Sequence, residues 1–171
     1  TFDPERPLPK IFRLVKDGRL IEGLYEGETL NTPSMFCVAD ALDSLMWIKE
    51  IGGLTETIRR SNENFKCLQG WVDKTPWIEN LVSDPRNRSN TSVCLKFSDE
   101  RLISLIPDEK TRFVKEFVAL LEAENAAFDI KGHRNAPPGL RIWCGATINL
   151  DDIQKLLPWL EYCFHEIISS Y

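Results

Sequence analysis

The chain has 171 residues, 43% of them hydrophobic and 27% charged, the balance of a folded domain with a core rather than of a disordered segment. Its formal net charge of -5 argues against nonspecific attraction to nucleic acid or anionic membrane, because both require a basic surface. No apolar run approaches the ~20 residues that span a bilayer and no basic-then-apolar leader opens the sequence, so the expectation is a cytoplasmic protein without membrane or nucleic-acid partners.

The chain opens at Thr1 rather than methionine, and Pro4, Pro7 and Pro9 follow without a start-of-domain pattern. A piece of a longer protein looks like this, and so does a processed terminus. Residues 11–16 and 19–25 are apolar-rich runs around Asp17-Gly18, the pair that supplies the positive φ angles of a type I′ turn, so a β-hairpin is expected. An isolated hairpin is marginal in water, and residues 1–32 therefore read as padding for a neighbouring domain or subunit. In Asn31-Thr32-Pro33-Ser34, Thr32 suits a helix cap and Pro33 the first helical position. Met35, Val38, Leu42 and Leu45 then recur at helical spacing until Gly52-Gly53.

A second helix starts near Leu54 with Ile58, Ser61, Phe65, Leu68 and Val72 as its inner stripe, and stops before Thr75-Pro76. Residues 83–90 form a polar loop. Two glycosylation-acceptor triplets, Asn87-Arg88-Ser89 and Asn90-Thr91-Ser92, are without a secretory route simply polar loop leading into a strand. Residues 92–97 read as a strand. Pro107 and Asp108 open a third helix with Phe113, Phe117, Leu120 and Leu121 inward. Residues 127–130 and 140–147 are strand candidates. The last helix, about 151–168, turns Ile153, Leu156, Leu160, Phe164 and Ile167 inward, with Pro158 expected to kink or restart it. The order implies an α+β fold, helices packed on one face of a small sheet.

The five scattered cysteines, Cys37, Cys67, Cys94, Cys144 and Cys163, fit reduced, mostly buried thiols rather than disulfides or a zinc site. His133 and His165 are too far apart in sequence to suggest a metal centre. The tryptophans Trp47, Trp71, Trp77, Trp143 and Trp159 read as core or interface.

Residues 131–141, Lys-Gly-His-Arg-Asn-Ala-Pro-Pro-Gly-Leu-Arg, gather four basic side chains in a Gly/Pro-shaped loop of an otherwise acidic protein. Guanidinium groups match carboxylate and phosphate oxygens, so His133, Arg134 and Arg141 suit an anionic ligand carrying both group types. A solvated basic loop making surface ion pairs is the alternative. Strand alternation sets Arg141 on the face opposite Leu140 and Ile142, where it needs an anion or water. Asn31 and Thr32, at a helix start, suit a phosphate or simply cap the helix.

Leu30-Asn31-Thr32-Pro33-Ser34-Met35, Ile51-Gly52-Gly53-Leu54, Lys74-Thr75-Pro76-Trp77-Ile78, Arg88-Ser89-Asn90-Thr91-Ser92-Val93-Cys94 and, above all, residues 132–143 resemble phosphoserine aminotransferases, in particular their alphaproteobacterial-type branch. The resemblance runs from about Pro7 to the end. It implies the C-terminal small domain of a fold type I, class V aminotransferase (33–171, with its connecting helices), preceded by a hairpin remnant of the large domain (1–32). It further implies pyridoxal phosphate (PLP) as cofactor, a homodimer, and amino transfer between glutamate and 3-phosphohydroxypyruvate, giving 2-oxoglutarate and phosphoserine in serine biosynthesis. By resemblance Asn31 and Thr32 hold the cofactor phosphate of the partner subunit, His133 and Arg134 the substrate phosphate, and Arg141 its α-carboxylate. The family's cofactor-bearing lysine lies upstream of the match, and none of this chain's lysines has its context. The expectation is therefore a part that binds ligands, contributes no catalytic residue of its own and is inactive alone. Another class V aminotransferase and a stand-alone anion-binding or interaction module are the rival readings.

Overall fold

The computed structural model describes Arg6 and residues 9–171; Thr1, Pro4 and Pro7 of the opening segment lie outside the described residues. The chain divides into two compact units, one ending at Lys49 and the other Glu50–Tyr171, whereas the sequence reading divides it at residue 32.

In the first unit β1 (Val15–Lys16) and β2 (Arg19–Leu20) pair antiparallel, Val15 opposite Leu20. Asp17 at φ 51° and Gly18 at φ 70° make the expected turn. The strands are shorter than the sequence suggests: Lys10–Phe12 and Glu22–Tyr25 curl into 3-10 turns, since a two-stranded ribbon has no third strand to keep its flanks extended. Helix α1 (Met35–Glu50) begins later than expected. Ser34 is the cap in place of Thr32: its carbonyl accepts from the Val38 amide at 3.1 Å and its hydroxyl from the Cys37 amide at 3.5 Å. None of its residues is buried, and Met35, Phe36, Leu42 and Leu45 are exposed.

The second unit holds the core. Helix α2 (Gly53–Val72) buries Ser61, Asn64, Leu68 and Val72, while Ile58, expected inward, is half exposed. A three-stranded antiparallel sheet follows, in the order β3 (Ile78–Asn80), β4 (Ser92–Phe97), β5 (Leu140–Trp143). Three-residue β3 is too short for alternation to show in sequence. So is α3 (Glu100–Ile103), capped by Asp99, whose carboxylate accepts from the Arg101 amide at 3.0 Å. Helix α4 (Pro107–Ala123) starts where expected and buries Phe113, Phe117 and Leu121. Residues 127–130 are not a strand. Asp129 takes a positive φ of 53°, which breaks an extended run, and among the described residues only a Lys131–Leu140 bridge survives.

Helix α5 (Leu150–Ile168) runs through Pro158 without restarting. It packs on both α2 and α4 and buries Ile153, Leu156, Leu160 and Phe164, with Ile168 taking the place expected of Ile167. Trp77 stacks on Phe164 with ring centroids 4.0 Å apart. Glu161 accepts from the indole N–H groups of Trp71 at 2.8 Å and Trp77 at 3.2 Å, which satisfies both polar tips beside the core. Of the cysteines, Cys144 and Cys163 are buried and Cys37 is exposed. Among the described residues no helix is long and apolar enough to cross a membrane.

Candidate anion-binding site

Alternation along β5 buries Leu140 and Ile142 against the helices and turns Arg141 and Trp143 to the opposite, open face. Cys94 of β4 lies opposite Arg141, and Ser92 opposite Trp143. The Arg141 amide donates to the Ile130 carbonyl at 2.7 Å, which ties the incoming segment to the strand. That tie sets Asp129 beside the guanidinium, Oδ2 to Nη2 3.4 Å, an open pair with the aspartate side chain 90% exposed. A cleft of about 480 Å3 runs between this strand and the start of α5, lined by Phe128, Asp129, Arg141, Trp143, Asp152 and Leu156.

The loop that carries the other cations folds back on itself. The Gly132 amide donates to the Gly139 carbonyl at 2.9 Å and the Ala136 amide to the His133 carbonyl at 2.8 Å. Gly139 lies so close to β4 that a Cβ would stand 2.1 Å from the Leu95 carbonyl oxygen, so only glycine lets the loop return there. The Asn135 amide donates to His133 Nδ1 at 3.2 Å, which puts the N–H of the neutral ring on Nε2. Arg134 is exposed and its guanidinium has no hydrogen-bond or ion-pair partner among the described residues. Lys131, His133 and Arg134 share a hollow of about 170 Å3 with Gly139. His133 and Arg134 are thus together, whereas Arg141 lines the separate cleft one strand-turn on.

Asn31 and Thr32 belong to the first unit, exposed and just ahead of α1. Neither side chain has a hydrogen-bond partner among the described residues.

Three residues that sequence reasoning did not single out bear on the site. Asp129 shows itself only through its pairing with Arg141. Trp143, read as core or interface, is 52% exposed on the cleft. Asn64 is 1% exposed and donates from Nδ2 to the carbonyls of Ile148 at 2.9 Å, Cys144 at 3.3 Å and Gly145 at 3.4 Å, fixing the loop that follows β5. Its position in register with Ser61 and Leu68 on α2 was the available signal. Burial pushes the Cys144 thiol beside this loop up to about 12, which leaves it inert.

No known family model matches the chain. The phosphoserine aminotransferase of Methanosarcina mazei is 43% identical over 166 residues, covering 96% of this chain and 42% of that protein. The solved structure of phosphoserine aminotransferase from Bacillus circulans subsp. alkalophilus superposes with a TM-score of 0.66 at 23% identity, over 80% of this chain and 34% of that one. The PLP-bound enzyme from Trichomonas vaginalis gives a TM-score of 0.65 at 22% identity, over 81% and 36%. The α+β fold is that of the C-terminal portion of these enzymes. The chain is a relative of the phosphoserine aminotransferases and spans about two-fifths of the length of the curated relatives it matches.

Proposed function

We propose that this relative of the phosphoserine aminotransferases is the C-terminal, substrate-selecting part of such an enzyme. The enzyme would be PLP-dependent, cytoplasmic and homodimeric, and would move an amino group between glutamate and 3-phosphohydroxypyruvate. The 43% identity running through nearly the whole chain carries the reading. The free cations of the loop support it.

Arg141 would hold the α-carboxylate as a charge-assisted pair at the cleft rim, fixing the end of the substrate next to the reacting carbon. Arg134, with no competing partner among the described residues, and His133, donating from Nε2, would take the phosphate from the neighbouring hollow. Two separate cationic pockets suit a substrate with an anion at each end. Asn31 and Thr32 would hold the phosphate of the partner subunit's cofactor. When bound, the cofactor supplies the electron sink at the substrate's Cα. No lysine of this chain has the context to carry it, so the chain alone is inactive.

The coding sequence immediately upstream is expected to supply a large domain with that lysine; its absence would favour a stand-alone anion-binding module. In the PLP-loaded enzyme, Arg134→Ala should cut kcat/KM for phosphoserine by about a hundredfold, as loss of a charged hydrogen-bond pair does, and leave unphosphorylated serine nearly unchanged. Equal losses would point to another class V aminotransferase.

A further inference from the structure

Trp143 is an exposed aromatic side chain that is nevertheless held in place. Its Nε1 donates to Thr147 Oγ1 at 3.0 Å. Its ring lies on the backbone of Gly145, where an added Cβ would stand 2.3 Å from Cζ2. The loop beneath, residues 144–148, is in turn fixed by Asn64. A tryptophan left half exposed but held along one edge of its indole, by the Nε1 bond and by Gly145 beneath it, presents a fixed aromatic face.

Its place on the sheet says what it faces. Trp143 follows Arg141 by two residues on one strand and shares its open face, about 6.6 Å away along the chain. Both line the 480 Å3 cleft, whose remaining wall includes Phe128 and Leu156. Among the described residues the Arg141 guanidinium pairs with Asp129 alone, at 3.4 Å. A carboxylate arriving there in open water would gain little, since exposed ion pairs are screened. An apolar wall beside the guanidinium removes that screening.

We propose that Trp143 is a substrate-contacting wall of the Arg141 pocket, its indole excluding water from the ion pair between Arg141 and the ligand's α-carboxylate. This rests on the reading of Arg141 as the carboxylate group's partner. The ligands are α-amino and α-keto acids generally, because the wall serves the end of the molecule they have in common.

The test uses the PLP-loaded enzyme and measures KM and kcat for phosphoserine across an ionic-strength series. Trp143→Ala should raise KM about tenfold with kcat changed less than twofold, and should make KM climb more steeply with salt, as a newly wetted pair requires. Trp143→Phe, which keeps an aromatic face but not the bond to Thr147, should recover at least half of the loss on a logarithmic scale. Quenching of tryptophan fluorescence by phosphoserine should be present in the parent and absent in Trp143→Phe. The proposal is overturned if Trp143→Ala leaves KM and its salt dependence unchanged while Arg141→Ala raises KM. If Arg141→Ala also leaves KM unchanged, the carboxylate reading of Arg141 falls first, and this proposal with it.

Discussion

Asn64 offers the sharpest test of how the loop behind the site is held. Its Nδ2 faces three carbonyl oxygens, of Ile148, Cys144 and Gly145, in a position 1% exposed. An amide has two hydrogens, so at most two of these contacts are full bonds at once, Ile148 at 2.9 Å being the best. Asn64→Ala strands two buried carbonyls at ~1–3 kcal/mol each; partial access of water to the cavity brings the expected cost to ~3 kcal/mol. For a chain of this size that lowers Tm by ~6–12 °C. Urea unfolding at fixed pH gives the free energy directly, with an unchanged slope showing that the folded state is intact. Asn64→Asp separates donation from shape. At pH 7 a carboxylate there faces three carbonyl oxygens with no proton to share, and should be less stable than the alanine variant. Burial raises that carboxyl above its unfolded pKa of ~3.9, so the folded state keeps its proton over a window where the unfolded state has lost it. Stability of Asn64→Asp therefore falls as pH rises through that window and recovers as pH is lowered. An alanine variant within ~0.5 kcal/mol of the parent, or an aspartate variant no worse than alanine at pH 7, would refute the account.

Two further outcomes follow from the same geometry. Asp129→Asn removes the charge that competes for Arg141 while keeping a residue that tolerates the φ of 53° at that position. Carboxylate ligands should then bind about two- to fivefold more tightly to the PLP-loaded enzyme with Tm unmoved, as the loss of an exposed pair allows; weaker binding in a direct titration would mean that Asp129 assists the ligand instead. Burial raises the thiols of Cys144 from 9.0 to about 12 and of Cys163 to about 11, while Cys37 is exposed. Iodoacetamide at pH 8 should label Cys37 and spare both buried thiols until urea unfolds the chain, read by peptide mass. Because the folded thiols hold protons that the unfolded ones release, stability should also decline as pH rises from 9 towards 12.

Much of the fold could be read from the sequence because its main signals are local. The strand Ser92–Phe97 appears at its full length, since six alternating residues carry their own pattern. Helices α4 and α5 start where Pro107 and the Asn149–Asp152 contact at 3.3 Å put them. What was missed depends on partners. Strand β3 exists because Ile78 finds Phe97 across the ladder. Residues 127–130 looked extended, but the left-handed turn at Asp129 diverts them so that Ile130 can meet the Arg141 amide. The apolar spacing of Met35, Leu42 and Leu45 correctly marks a helix yet names no surface for it to bury against, and all three are exposed.

The site was legible in the same uneven way, and the unevenness has a cause. Residue type identifies which groups can bind an anion; it does not say how many pockets they make. His133, Arg134 and Arg141 lie within nine positions, which suggests one basic cluster. Pairing of Gly132 with Gly139 closes the loop between them, while the strand that follows carries Arg141 to the open face of the sheet. The cluster is thereby split into a hollow and a cleft with different walls, glycines and prolines beside His133 and Arg134 in one, Phe128, Trp143 and aliphatic side chains beside Arg141 in the other. A single pocket of two arginines and a histidine would bind any small dianion. Two pockets joined by a short stretch of rigid backbone select for the distance between two anionic groups. Under the proposed function, specificity would rest on the glycine closure that sets the arginines apart as well as on Arg134 itself, and lengthening the loop by one residue should cost phosphoserine far more than serine.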